Sequence, residues 1–99
     1  RSRARALAKE AVQRGDAVGW FEPLYRAAAA GEAVVPWADL VPNPHLVAWL
    51  DRHRPAPGSA LDVGCGLGDN AEELARRDHR VLAFDVAASA IAGARARFP

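Results

Sequence analysis

The chain has 99 residues, a formal net charge of +1 and one Cys; 23 residues are Ala and only 22 are Leu, Ile, Val or Phe, so the core is thin and one small domain is the ceiling. Near-neutral charge excludes a nucleic-acid or anionic-membrane partner held by bulk electrostatics. The lone Cys excludes a disulfide framework and a multi-cysteine metal cluster, and no stretch has the apolar length of a membrane span or the pattern of a signal peptide.

A cytoplasmic setting is the expectation from these exclusions. The cations are 12 Arg and one Lys, a bias that suits a GC-rich genome better than a binding surface. The chain opens on Arg1 rather than Met, so we expect a segment of a longer protein.

Arg1 to about Arg14 is rich in Arg and Ala, with Leu7, Ala8, Ala11 and Val12 on a narrow helical stripe. Gly15-Asp16 reads as a stop followed by an N-cap. A second helix is predicted over Ala17–Ala30, with Trp20, Phe21, Leu24 and Tyr25 on one face. Pro23 points to a true start near Glu22. Residues 32–44 make an extended, turn-rich connection containing Pro36-Trp37 and Pro42-Asn43-Pro44. Asn43 suits a cap and Pro44 a first helical position, and Leu46, Trp49 and Leu50 share one face, with Trp49 expected in the core. Arg54-Pro55-Ala56-Pro57-Gly58 ends that helix.

From Ser59 the pattern changes. Ala60-Leu61-Asp62-Val63 reads as a strand that runs into Gly64-Cys65-Gly66-Leu67-Gly68. A helix begins at Asp69, with Glu72/Arg76 and Glu73/Arg77 as i,i+4 pairs. Val81-Leu82-Ala83-Phe84-Asp85 is a second strand, and a last helix carries Ala87, Ile91, Ala94 and Phe98 inward, with Arg95 and Arg97 at its negative end. Both strands are apolar on consecutive positions, the pattern of parallel strands buried on two faces. The predicted fold is α/β: the N-terminal part of a Rossmann-like, doubly wound parallel sheet. It divides into a helical or lid segment, 1–58, and a β-α-β-α unit, 59–99.

The chemistry concentrates between Leu61 and Asp85. Glycines let a backbone turn sharply and approach a ligand, and the following helix N-terminus favours a carboxylate. Asp85 stands 21 residues after Gly64 at the end of the second strand, where such folds place an acid on ribose hydroxyls. The spacing is Gly-x-Gly-x-Gly, not the Gly-x-Gly-x-x-Gly of a dinucleotide site, and Asp62 and Asp69 would repel a pyrophosphate. Acids suit an ammonium or sulfonium group instead, and S-adenosylmethionine carries both, with a ribose and one carboxylate.

Leu61-Asp62-Val63-Gly64-Cys65-Gly66-Leu67-Gly68-Asp69-Asn70-Ala71, followed by Ala83-Phe84-Asp85-Val86, resembles the first two motifs of the class I S-adenosylmethionine-dependent methyltransferases. Upstream, Trp20, Tyr25, Gly31 and Pro36-Trp37 before the Asn43-Pro44 helix are similar to the thiopurine S-methyltransferase and tellurite-resistance-like branch. The resemblance implies that Gly64, Gly66 and Gly68 lie under the methionine part and that Asp62 holds the ammonium. It further implies that Asp85 binds the ribose, that Val86 lies against adenine and that Trp20 serves as a lid. Cys65, Asp69 and Asn70 complete the candidate cofactor-binding set. Each also has a plain structural reading: packing for Cys65, an N-cap for Asp69, a first-turn position for Asn70. Where the family usually has Ser-Pro after the second acid, this chain has Ala87-Ala88, which loosens that helix start.

His45, His53 and His79 share no metal-like spacing, so no metal is expected. The acceptor would be a small molecule, and no residue stands out as a catalytic base. A nicotinamide-binding oxidoreductase and a non-enzymatic methyltransferase-like interaction module are the alternatives. A family sheet has seven strands and two are present here, so the 99-residue chain is expected to be inactive and unstable alone.

Overall fold

The computed structural model describes residues 2–99; Arg1, the first residue of the expected opening helix, lies outside them. The elements in order are α1 (Ser2–Gln13), α2 (Phe21–Ala29), α3 (Pro44–His53), β1 (Ser59–Val63), α4 (Asp69–Arg76), β2 (Arg80–Phe84) and α5 (Ala88–Arg97). No helix among the described residues is long and apolar enough to cross a membrane.

α2 starts four residues later than the Ala17 expectation. Asp16 does cap, but it caps a turn: its Oδ1 accepts from the N–H groups of Val18 (3.3 Å) and Gly19 (2.9 Å). Pro23 then falls in the first turn of α2, where a missing N–H has no intrahelical partner to lose. α3 begins as expected. Asn43 Oδ1 accepts from His45 N–H (2.8 Å) and Leu46 N–H (3.4 Å), and Pro44 sits at N1. Trp49 corrects the reading of that helix's apolar face. Leu50 is buried, but Trp49 is 52% exposed and lies against His53, because among the described residues nothing covers that side of α3.

β1 and β2 pair in parallel, with Leu61 beside Leu82 and Val63 beside Phe84, and α4 is the crossover between them. Both expected i,i+4 pairs on α4 form, Arg76 to Glu72 at 3.8 Å and Arg77 to Glu73 at 3.2 Å. Arg77 also reaches Asp51 at 2.8 Å and so ties α4 to α3. The two-face burial expected of the strands is not what the described residues show. Val81 and Ala83 turn toward a gap lined by α4 and α5, while Leu61, Val63, Leu82 and Phe84 are exposed on the opposite face. Strands of alternating exposure follow when, among the described residues, helices cover one face and the other meets only the aromatic end of α2 near Val63 and Phe84.

The buried core lies elsewhere. Ala4 of α1, Leu24 and Tyr25 of α2, Val35 of the connection, and Ala87 and Ala90 at the start of α5 form one cluster. The small residues of α5 let α2 come close. The Ala87-Ala88 start of α5 has no side-chain cap of its own, and α2 supplies one. Glu22 accepts from the Ser89 N–H and the Ser89 hydroxyl, both at 2.6 Å. These bonds, the Ser89 hydroxyl's most of all, hold the Glu22 carboxyl below its ordinary pKa.

Candidate functional site

The glycine loop leaves β1 and stays attached to β2: Cys65 N–H donates to Phe84 O at 3.0 Å. Gly64, Gly66 and Gly68 all have positive φ. At Gly66 the requirement is double. Its φ is +55°, and a Cβ there would stand 2.9 Å from Tyr25 Oη. Gly68 packs as closely on α5, where a Cβ would meet Ala94 Cβ at 3.1 Å. Gly68, not Asp69, is the N-cap residue of α4, with φ +88° and no side-chain cap.

Asp85 braces the loop from the end of β2. Its Oδ2 accepts from Gly66 N–H at 2.8 Å and its Oδ1 from Ala87 N–H at 2.9 Å. Each oxygen keeps a lone pair for a further donor. Asp62 is placed differently. Its Oδ2 is buried and receives no hydrogen bond among the described residues. Burial, and then the charge of Asp85, push the Asp62 carboxyl above its ordinary pKa. A buried carboxylate oxygen without a donor is costly and is relieved by a cation or a donor brought to it. Burial, Asp62 and Asp85 also raise the Cys65 thiol, which keeps it protonated and fits packing rather than nucleophilic use.

Besides the gap under α4 and α5, two cavities lie between this loop and the lead-in. One, about 140 Å3, is lined by Gly64, Cys65, Gly66 and Leu67 with Asp69 and Asn70. The other, about 310 Å3 and mainly apolar, is lined by Val63, Gly64, Phe84, Asp85 and Val86 with Phe21. Tyr25 and Trp37 line both, and Trp37 Nε1–H donates to Tyr25 Oη at 2.9 Å. Desolvation raises the buried Tyr25 phenol, so it stays a hydroxyl.

The structure therefore gathers Gly64, Cys65, Gly66, Asp69 and Asn70 around one cavity and Asp85 and Val86 around the next. Asp62 lies on the strand that feeds the loop. Trp20 lines neither cavity: it stacks on Phe21 (4.2 Å between centroids) and donates from Nε1 to Ala17 O at 3.0 Å. The aromatics against the loop are Tyr25 and Trp37. The burial of Tyr25 beside Leu24 on one helical face was a usable signal; the reach of Trp37 back to it was not.

Asp69 and Asn70 are occupied by protein partners. The Asp69 carboxylate makes a paired contact with Arg97, at 2.7 and 2.8 Å. Asn70 Oδ1 accepts from Asn43 N–H at 2.8 Å, and its amide N–H groups remain as further donors.

Residues 60–99 match a family described as a methyltransferase domain. The chain is 47% identical over 47 residues to the cypemycin N-terminal methyltransferase of a Streptomyces species, covering 46% of this chain and 19% of that protein. It is 33% identical over 73 residues to the 2-heptyl-1-hydroxyquinolin-4(1H)-one methyltransferase of Mycobacteroides abscessus, covering 72% of this chain and 32% of that protein. A solved structure described as "Conversion of a Disulfide Bond into a Thioacetal Group during Echinomycin Biosynthesis" superposes with a TM-score of 0.64 at 32% identity, over 77% of this chain and 33% of the other. The chain thus spans about a third or less of the proteins it matches. Residues 60–99 thus match the methyltransferase-domain family in sequence and in fold, and the chain resembles the N-terminal portion of class I S-adenosylmethionine-dependent methyltransferases.

Proposed function

We propose that this chain is the cofactor-binding part of a cytoplasmic, bacterial-type S-adenosylmethionine-dependent methyltransferase that acts on a small-molecule acceptor. The observation that carries the cofactor reading is the buried, undonated Oδ2 of Asp62 beside a glycine loop. A positively charged donor such as an amino-acid ammonium is the group that relieves it. The residues present fit the cofactor in kind. Asp62 would take the ammonium, the 64–68 backbone and Asn70 the methionine portion, Asp85 the ribose hydroxyls, and Val86 with Phe84 the base. The cofactor, when bound, supplies an already activated methyl group. The chain's own part is then to align it and to keep water out, for which Tyr25 and Trp37 are placed.

The small-molecule acceptor is proposed from the relatives, one of which is named for a heptyl-hydroxyquinolinone. The lead-in's likeness to the thiopurine S-methyltransferase and tellurite-resistance-like branch belongs to the same reading. Calorimetry with S-adenosylmethionine, S-adenosylhomocysteine and NAD tests it. Binding of the two sulfur nucleosides but not NAD is expected. Asp85→Ala should weaken that binding by about 1–3 kcal/mol, the usual cost of an unsatisfied polar group. Asp62→Asn should remove a fall in affinity at acid pH, because only the ionised Asp62 attracts an ammonium and its pKa is raised. Binding of NAD alone would replace the reading with an oxidoreductase.

A further inference from the structure

Arg97 stands at the far end of α5, 28 residues from Asp69, and lines neither cavity beside the loop. Yet it makes three contacts to Leu67 and Asp69, which line the smaller one, and a fourth to Leu40 in the connection beside it. Nη1–H donates to Leu67 O (3.1 Å) and Asp69 Oδ2 (2.8 Å); Nη2–H donates to Asp69 Oδ1 (2.7 Å) and Leu40 O (3.4 Å). One guanidinium thereby joins three segments that do not otherwise share an element: the connection before α3, the glycine loop and the first turn of α4. Leu40 has φ +60°, a conformation a branched side chain resists, so its place in the connection depends on outside contacts of this kind. The paired, half-buried geometry is the strong form of an Arg–carboxylate contact.

The electrostatic consequence follows from placement. Asp69 lines the cavity and Arg97 lies behind it, so the charge that Asp69 presents to a ligand is largely cancelled. Without Arg97, a carboxylate would face the cavity at full charge, in addition to Asp39, which also lines it. We propose that Arg97 is a positioning residue that sets the charge selectivity of the cofactor cavity. By neutralising Asp69 it keeps the cationic methyl donor from being held far more tightly than the uncharged-sulfur product. The proposal rests on the cofactor reading given above. S-adenosylmethionine and S-adenosylhomocysteine differ by one methyl and one positive charge, so the ratio of their affinities, taken relative to the unaltered protein, isolates the charge.

The test is calorimetry of both nucleosides at low ionic strength, where Coulombic effects are least screened. Arg97→Gln should shift the ratio toward the sulfonium form by about fivefold, the size expected of a freed charge several ångströms away in a partly hydrated site. Asp69→Asn should shift it the other way, and the double variant should return it to within about twofold of the starting value. Arg97→Lys, which keeps the charge but not the paired contact, should hold the original ratio. It carries the test, together with Asp69→Asn, if the Gln variant does not fold. Equal weakening of both ligands in every variant would reduce Arg97 to a structural tie and overturn the proposal. Failure of the unaltered protein to bind either nucleoside would instead overturn the cofactor reading, and this inference with it.

Discussion

The lead-in and the sheet divide the work of this molecule unevenly. The lead-in, with the start of α5, holds the buried core: Leu24 is fully buried and Tyr25 is 4% exposed. The sheet holds the motif, yet Leu61 and Leu82 on its outer face are 67% and 63% exposed. The element that carries the recognisable chemistry is thus not the element that carries the packing. The site lies on the seam, where Tyr25 of α2 meets Gly66 of the loop and Asp85 at the end of β2 reaches both the loop and the start of α5.

The sharpest way to break that contrast is to truncate one leucine on each side. Leu24→Ala should cost about 3 kcal/mol, from lost transfer energy and the cavity left behind. Leu82→Ala should change stability by about 0.5 kcal/mol or less, because it removes little buried surface. Denaturant titration of both variants is the measurement. Comparable losses would mean that the Leu82 face is covered in solution.

The seam itself is tested at Gly66. Gly66→Ala should cost about 2 kcal/mol: the left-handed backbone penalty for a residue with a Cβ, plus a contact with Tyr25 Oη that must give way. Tyr25→Phe removes the opposing oxygen. In the double variant part of the loss should return, as non-additivity in the same titration. Strict additivity would show that the lead-in and the loop are not in mechanical contact.

What the sequence made legible follows the same division. The glycine loop, Asp85 and the Asn43-Pro44 helix start are local patterns, and each sits where its spacing predicted. The double βα unit followed from two short apolar runs, each with a helix after it. What was hidden depended on distance along the chain. Glu22 and Ser89 are 67 residues apart, and Arg97 and Leu40 57 apart; no periodicity links them. Trp49 shows a different limit. Helical spacing assigned it to an apolar face, but whether anything covers that face is a tertiary fact. Asp69 shows a third. Its position at a helix start suggested a cap, but the left-handed Gly68 takes that place and frees the carboxylate for Arg97.

The smallest expected effect concerns the point where the lead-in caps the motif. Ala87 offers no side-chain oxygen to the first turn of α5, so the resemblance implied a loose start there; Glu22 closes it from α2. Glu22→Ala should cost about 1 kcal/mol, the usual scale for loss of a helix cap. The pH dependence gives the sign. The folded Glu22 carboxyl is held below its ordinary value of 4.5, chiefly by Ser89 donation, so the folded state favours its ionised form. The stabilisation is therefore full above the unfolded pKa and is lost as pH falls through the depressed folded value. Unfolding measured from neutral to acid pH should show the variant's deficit at pH 7 shrinking toward zero in strong acid. A deficit that stays constant with pH would mean that Glu22 contributes through packing on α5 rather than through its charge.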